Sequence, residues 1–339
     1  MPRPKVSVLL PCYNSETTLE TALSSLLAQT LSDLEIVAVD DGSSDATGEM
    51  LRAYAGFDER VRPVCQPHRG IVSALNAGLR EVRGAYTARM DADDAARPER
   101  LELQSRHLDE HPEVGLVACR VDFGGHPERQ RGYRRYVEWT NGLLTAEEIG
   151  LHRFVECPLA HPSIMFRTEL VSRFGPYREG MFPEDYELIL RWLQEGVRME
   201  KLSRKLLLWN DDPARLSRND PRCRIEAFYR IKAVYLAAWL ERNNPHHPEV
   251  VVLGSKRRIR KRVDRLRDRG VSVAAYVDVD PRRTHRSIGG IPVLALQDLP
   301  EPGSCFCLSF VAQREARQEV AAHLEDRGYR LGRDYLPAA

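Results

Sequence analysis

Short runs of β-branched and aliphatic residues alternate with longer stretches whose apolar residues recur at three and four positions, and this rhythm carries the first third of the chain. Val6 to Leu10 is one such run, bounded by Pro11, and predicts a fully buried strand. From Ser15, a suitable N-cap, Leu19, Ala22, Leu23, Leu26 and Leu27 recur at helical spacing toward Gln29. Glu35 to Val39 predicts a second strand, ending in Asp40-Asp41-Gly42-Ser43-Ser44, and a helix follows through Met50, Leu51 and Tyr54. Val61 to Cys65, a helix from Ile71 to Val82, a strand from Ala85 to Met90, a helix around Pro98 to His111 and a strand from Val114 to Val121 continue the alternation. Strand, helix, strand in this order requires right-handed crossovers, which gives an α/β fold with a mostly parallel sheet.

Regularity fades after Gly124, where Gly, Pro and Arg up to about Arg135 predict a loop or lid, and Phe123 to Pro158 reads as irregular. His161 to Phe166 predicts a strand after a turn. Phe182-Pro183-Glu184-Asp185-Tyr186 opens a helix whose apolar face includes Leu188, Ile189, Trp192 and Leu193. Asn-Pro-His-His-Pro at Asn244 to Pro248 reads as a linker. Beyond it, a strand at Val250 to Leu253, a basic helix from Ser255 to Arg269, a strand at Val271 to Val277, a strand at Phe306 to Val311 and a helix from Arg314 to Arg327 predict a smaller Rossmann-like unit. The expected division is residues 1–243, with a core at 4–220 and a helical extension at 221–243, and residues 244–339.

Composition narrows the class. Fifty basic residues stand against forty-nine acidic ones, so no global field recruits nucleic acid, and none is expected as a partner. Seven scattered cysteines, among them Cys65, Cys119, Cys305 and Cys307, read as reduced core residues. The apolar run behind Pro2-Arg3-Pro4-Lys5 ends at Pro11, too short for a signal-peptide core, and no stretch approaches a membrane span. A cytoplasmic protein is expected.

The candidate chemistry lies where the strands end. Ligands bind beyond the carboxyl ends of parallel strands, and Pro11-Cys12-Tyr13-Asn14, Asp40-Asp41-Gly42-Ser43 and Asp91-Ala92-Asp93-Asp94 all fall there. Three carboxylates within four residues repel one another, and a hard divalent cation such as Mg2+ or Mn2+ is the usual remedy. The plainer reading has Asp91 capping the helix near Pro98 and the other two solvated. Glu184 and Asp185 sit in a first helical turn, where the helix dipole favours carboxylates, and capping alone accounts for one of them.

These segments, with Ala74-Leu75-Asn76-Ala77-Gly78 and Pro183-Glu184-Asp185-Tyr186, resemble in order and spacing the family 2 glycosyltransferases of GT-A fold, over about residues 4 to 220. The resemblance implies a metal-dependent, inverting transfer of a sugar from a nucleotide diphosphate to a hydroxyl acceptor, a saccharide or lipid-linked one, in cell-surface polysaccharide or glycoconjugate synthesis. Asp93, with Asp91, is then the expected metal site for Mn2+ or Mg2+, and Asp91 lies nearer the ribose or the sugar. Asp94 contacts the donor or supports the turn. Pro11, Tyr13, Asn14, Asp40 and Asn76 join Asp91 in the nucleotide-sugar site, with Tyr13 stacking on the base and Asp40 accepting from a base imide, which favours UDP or dTDP. Asp185 is the expected base and Glu184 its acceptor-orienting neighbour.

Two departures stand out. Where family members often carry Arg-x-His, this chain has Trp209-Asn210-Asp211-Asp212-Pro213, which leaves Arg215 and Arg218 as candidate cations, while His161 is either near the acceptor or structural. The C-terminal unit resembles dinucleotide-binding half-domains, including its Gly290 to Val293 run. Its glycine loop is degenerate, because Gly254-Ser255-Lys256-Arg257-Arg258-Ile259 offers lysine and isoleucine where the second and third glycines belong. Asp278 is placed for a ribose, but NAD is not expected. Nine basic and two acidic residues between Lys256 and Arg269 make either a solvated face or a peripheral contact with an anionic membrane. The rivals are a nucleotidyltransferase, whose glycine- and arginine-rich N-terminal loop is missing from Val6 to Asn14, and a non-catalytic sugar-nucleotide or polyanion binder that has kept the fold.

Overall fold

A computed structural model describes residues 3–211, 218 and 220–339, so Arg215 lies outside the described residues. The chain forms two compact units, residues 1–149 with 159–223, and residues 150–158 with 224–339. The boundary moves twice from the expected one. The helix Ile225–Asn243 packs Trp239 against Phe306 and Phe154, and its Lys232 Nζ donates to the carbonyls of Val155 and Ala338. Its partners thus lie downstream or in the short 150–158 segment, so it belongs to the second unit and not to the first as an extension.

In the first unit, β1 (Val6–Cys12), β2 (Leu34–Asp40), β3 (Val61–Cys65), β4 (Tyr86–Arg89), β5 (Ala95–Ala96), β6 (Val114–Phe123), β7 (Met165–Arg167) and β8 (Arg198–Trp209) form one sheet in the order β3-β2-β1-β4-β7-β6-β8-β5. β1, β2, β3 and β4 are parallel neighbours, while β7 runs antiparallel to β4 and β6. β1 runs past the expected stop, because Pro11 pairs with Val39 near the strand's end and the ladder continues to Cys12 against Asp40. Every residue of β1 and β2 is buried, as a parallel sheet covered on both faces requires. α1 (Leu19–Leu27), α2 (Thr47–Phe57), α3 (Ile71–Glu81) and α4 (Arg100–Glu110) follow the expected alternation.

The segment read as irregular is helical in two places, α5 (Arg131–Asn141) and α6 (Ala146–His152), and α7 (Glu169–Phe174) follows β7. Arginines and a glycine masked α5 in the sequence, yet Tyr133, Tyr136, Val137 and Thr140 share one face. The two tyrosine rings close on Trp209, with centroids 5.0 and 6.0 Å away, so aromatic packing overrides weak propensity.

The second unit holds a six-stranded sheet. β9 (Glu249–Leu253), β10 (Ser272–Asp278), β11 (Arg286–Ile288), β12 (Ile291–Ala295), β13 (Cys307–Ser309) and β14 (Tyr335–Pro337) take the order β11-β12-β10-β9-β13-β14, parallel throughout except for β11 against β12. β11, β12 and β14 escaped the sequence reading because each is short and lacks alternation. The cysteines are free thiols, with Cys119 and Cys307 buried, whereas Cys65 ends β3 at the surface. Among the described residues no helix is long and apolar enough to cross a membrane.

Candidate active site

Parallel pairing of β2, β1 and β4 places their carboxyl ends side by side, and the three predicted polar clusters follow those ends. The first two are laced together. The Asn14 N–H donates to Ser43 Oγ at 3.0 Å, and Asn14 Oδ1 accepts from the Ser44 N–H at 2.9 Å, with Asn14 itself at a φ of 48°. Asp40 is buried, and its Oδ1 accepts the Ser43 N–H at 3.0 Å. Asp41 does more than the sequence suggested. Its carboxylate accepts the backbone N–H groups of Arg69 and Gly70 and the Gln66 amide, which folds the 66–70 loop over the β2 end. That loop carries His68, whose ring stacks on Tyr13 with centroids 4.1 Å apart and planes 22° apart. The half-exposed Tyr13 therefore has one face occupied by His68.

The acidic turn follows β4 directly. Asp91, Asp93 and Asp94 each bring a carboxylate oxygen within 4.8 Å of the others. Part of the repulsion expected there is met by the protein, since Arg89 Nη2 lies 2.5 Å from Asp91 Oδ1 and both residues are largely shielded from water. Burial works against the Arg89 charge, but Asp91, Tyr177 and Asp94 together hold its guanidinium above the ordinary range. Beneath the turn, the buried Arg100 donates from Nη2 to the Arg89 carbonyl at 2.7 Å and so fixes the end of β4. Asn210 clamps the turn from β8: its N–H donates to Asp94 Oδ1 at 2.9 Å and its Nδ2 to the Asp93 carbonyl at 2.6 Å. Asp91 does not cap a helix near Pro98, since the N-cap of α4 is Glu99. A donor set of carboxylate oxygens alone is what a hard divalent cation takes, so these residues fit Mn2+ or Mg2+.

The second pair of carboxylates stands at the start of α8 (Glu184–Gln194), whose Pro183 N-cap presents Glu184 and Asp185 in the first turn. Both are buried enough to resist ionisation. Burial and then the Asp185 charge push Glu184 up to about 7, opposed by Arg222 and Arg89. Burial also raises Asp185, opposed by the Tyr186 N–H and by Arg89, while Asp91 adds repulsion. Arg89 and Asp91 thus act on Asp185, so the acidic turn and the α8 pair belong to one electrostatic neighbourhood although 90 residues separate them in sequence.

The remaining predicted residues sort differently. Asn76 clamps a neighbour: its Nδ2 donates to the Tyr177 carbonyl at 2.9 Å and its Oδ1 accepts the Tyr177 N–H at 3.1 Å. Tyr177 in turn is 2.7 Å from His161 Nε2 through its hydroxyl. His161 is buried, and burial followed by the Arg89 charge drives it well below the ordinary histidine range, which favours the neutral ring. Arg218 pairs with the buried Asp211, and among the described residues Arg222 stands beside the α8 pair, its Nη1 3.8 Å from Glu184 Oε2. Arg222, His68 and Tyr177 were missed because no motif marks them. Arg89 was seen only as strand.

The family model for glycosyl transferase family 2 matches residues 7–174. The chain is 35% identical over 199 residues to the amylovoran biosynthesis glycosyltransferase AmsE of Erwinia amylovora, covering 56% of this chain and 70% of that protein. It is 30% identical over 227 residues to the uncharacterized glycosyltransferase EpsJ of Bacillus subtilis (strain 168), covering 63% of each, so the chain spans about two thirds of these relatives. Among solved structures, residues 1–349 of S. aureus TarS in complex with UDP-GlcNAc match with a TM-score of 0.55 at 20% identity, over 70% of this chain and 66% of that one. This chain belongs to glycosyl transferase family 2, and its first unit has the GT-A fold of such enzymes.

Proposed function

We propose that the protein transfers a sugar from a nucleotide diphosphate to a hydroxyl acceptor with inversion, in the synthesis of a cell-surface polysaccharide or glycoconjugate. The observation that carries this reading is the shared electrostatic neighbourhood of the Asp91–Asp94 turn and the Glu184–Asp185 pair, with Arg89 acting on both. Asp93 and Asp91 would hold Mn2+ or Mg2+, which stabilises the negative charge of a departing diphosphate. Tyr13 stacks on the base through the face that His68 does not cover, and Asp40 accepts from the base imide. Pro11 and Asn14 shape the crevice floor, and Asp91 faces the ribose or the sugar. Asn76 acts one step back, by holding Tyr177.

Asp185 takes the acceptor proton as the acceptor oxygen bonds to the anomeric carbon and the electron pair of the broken bond leaves with the diphosphate. Its affinity for protons, raised by burial, suits the role of base, and Glu184 orients the acceptor. A uridine or thymidine donor is favoured, and the donor class in the TarS complex is the first to try. The exposed cations Lys256, Arg258 and Lys261 leave a peripheral contact with an anionic membrane within this proposal.

A thermal-shift screen of nucleoside diphosphates and nucleotide sugars, with Mn2+ or with EDTA, tests it. A ligand at a hundred times its Kd adds about 2.7 kcal/mol to stability, so one base and sugar should raise Tm in Mn2+ and lose most of that effect in EDTA. No shift with any nucleotide would refute the reading. Retention of anomeric configuration in the product would refute inversion.

A further inference from the structure

The second unit carries a cavity of about 450 Å³ outside the carboxyl ends of β9 and β10, lined by Ser255, Lys256, Arg257 and Arg260 on one side and Arg283, Arg286, Ser287 and Ile288 on the other. Open parallel sheets bind ligands at such edges, and this volume lies in the small-molecule range. Five cations share the lining. Arg283 lies 3.7 Å from Asp278 and from Asp280, while Lys256, Arg257, Arg260 and Arg286 pair with no carboxylate among the described residues. Arg260 Nε is shielded from water and has no hydrogen-bond partner among the described residues, a donor left unsatisfied at the wall of the cavity.

The same turn excludes a dinucleotide. Gly254 has a φ of +117°, and a Cβ there would collide with Ile259 Cδ1, so the isoleucine packs directly on the turn where a glycine loop would carry its third glycine. Asp278 accepts from the hydroxyl of Ser255 and from its N–H at 3.3 Å, which commits the carboxylate a ribose would need. Recognition must therefore come from side chains, and it is recognition of negative charge. Farther along α10 (Arg257–Arg267), Arg262 lies over the Tyr229 ring at 3.7 Å, Arg265 reaches Glu226 at 2.6 Å and Arg267 lies 3.4 Å from Asp264. Lys256, Arg257, Arg260 and Arg286 thus face one cavity from the helix start and from β11, while Arg258 and Lys261, also exposed, lie outside its lining.

We propose that this cavity is a second anion site, built for a ligand that carries two adjacent phosphates. A single phosphate would leave cations on one wall unmatched, whereas a diphosphate bridges Arg257 and Arg260 to Arg286 and Arg283. The diphosphate could be free, as in a nucleoside diphosphate, or the headgroup of a lipid.

Isothermal titration of the full chain with inorganic pyrophosphate in EDTA tests it, because the chelator silences the metal-dependent site. One saturable site is expected, with orthophosphate weaker. Arg257→Gln and Arg286→Gln, both at exposed positions, should each weaken binding about tenfold. Asp93→Ala and Lys261→Gln, outside the cavity, should leave binding unchanged. Absence of saturable pyrophosphate binding overturns the proposal, as does equal weakening by Lys261→Gln, which would mean diffuse attraction. The carrier is read with uridine diphosphate in solution and with phosphatidylcholine vesicles containing a long-chain alkyl diphosphate. Arginine-dependent binding of either supports the site and names the source. Binding of both that survives the two arginine substitutions overturns it.

Discussion

Arg89 Nη2 lies 2.5 Å from Asp91 Oδ1, so the last residue of β4 neutralises the first carboxylate of the turn that follows it. The acidic turn is therefore not left to a cation alone. A protein-borne charge holds Asp91 in place, and its field extends to Glu184 and Asp185. Removing one partner of a buried pair leaves the other uncompensated, so Arg89→Met should destabilise the fold by about 3 kcal/mol. Urea unfolding measures this. The double variant Arg89→Met/Asp91→Asn should lose less than the two single losses combined, and strict additivity would show that the pair does not act as a unit.

Asp185→Asn should leave donor affinity within about twofold of the parent while lowering kcat by roughly a hundred- to ten-thousand-fold, the usual worth of positioned proton abstraction. Titration with the nucleotide sugar in Mn2+ gives the first number and single-turnover product formation the second. Full activity in this variant would remove Asp185 from the mechanism.

Glu184 makes a pH prediction whose sign is fixed by its burial. Its folded value of about 7 lies above the ordinary 4.5, so the fold favours the neutral acid. The stability it contributes is present below the ordinary value and is lost as pH rises through about 7. Glu184→Gln removes that loss. The variant should gain roughly 2 kcal/mol over the parent well above pH 7 and nothing in acid, as read from urea midpoints across the pH range.

How the sequence and the structure divide this information is physical. Parallel strands buried on both faces read as nearly unbroken apolar runs, so β1 and β2 and the helices after them were legible, and with them the crevice that the strand ends define. Asp91 to Asp94 and the Glu184–Asp185 pair were legible because carboxylates at that density demand an explanation wherever they stand. α5 was not, because its driving force is contact between Tyr133, Tyr136 and Trp209, and Trp209 is distant in sequence. Asn76 had a legible motif, yet its clamp on the Tyr177 backbone depends on a tertiary contact. Trp209-Asn210-Asp211 read only as a departure, but Asn210 grips the acidic turn and Asp211 receives Arg218.

Gly42 and Gly70 allow strain and collision to be separated. Gly42 has a φ of +70°, and a Cβ there would come within 2.5 Å of the His68 N, in the loop that supports Tyr13. Gly70, at +87°, has open space around it. Gly70→Ala should therefore cost only the backbone strain, about 1 kcal/mol, and Gly42→Ala at least about 2 kcal/mol. Only Gly42→Ala should also weaken nucleotide binding, because the backbone it displaces carries the ring stacked on Tyr13. Equal effects of the two substitutions on affinity would show that the His68 loop does not shape the base site.

Arg222 was in no motif, but its Nη1 is 3.8 Å from Glu184 Oε2, and its charge opposes the burial that raises that carboxyl. Arg222 is itself held by Asp220, 2.6 Å away, so its position does not depend on Glu184. Removing it should leave the carboxylate pair harder to ionise and Asp185 less available as a base. Arg222→Met is therefore expected to move the acid limb of the kcat profile to higher pH, with donor KM little changed, and Arg222→Lys to restore part of the shift. A role confined to packing would lower activity equally at every pH and leave the limb where it was. A shift toward lower pH would contradict the sign of the interaction and place Arg222 outside the electrostatics of the pair.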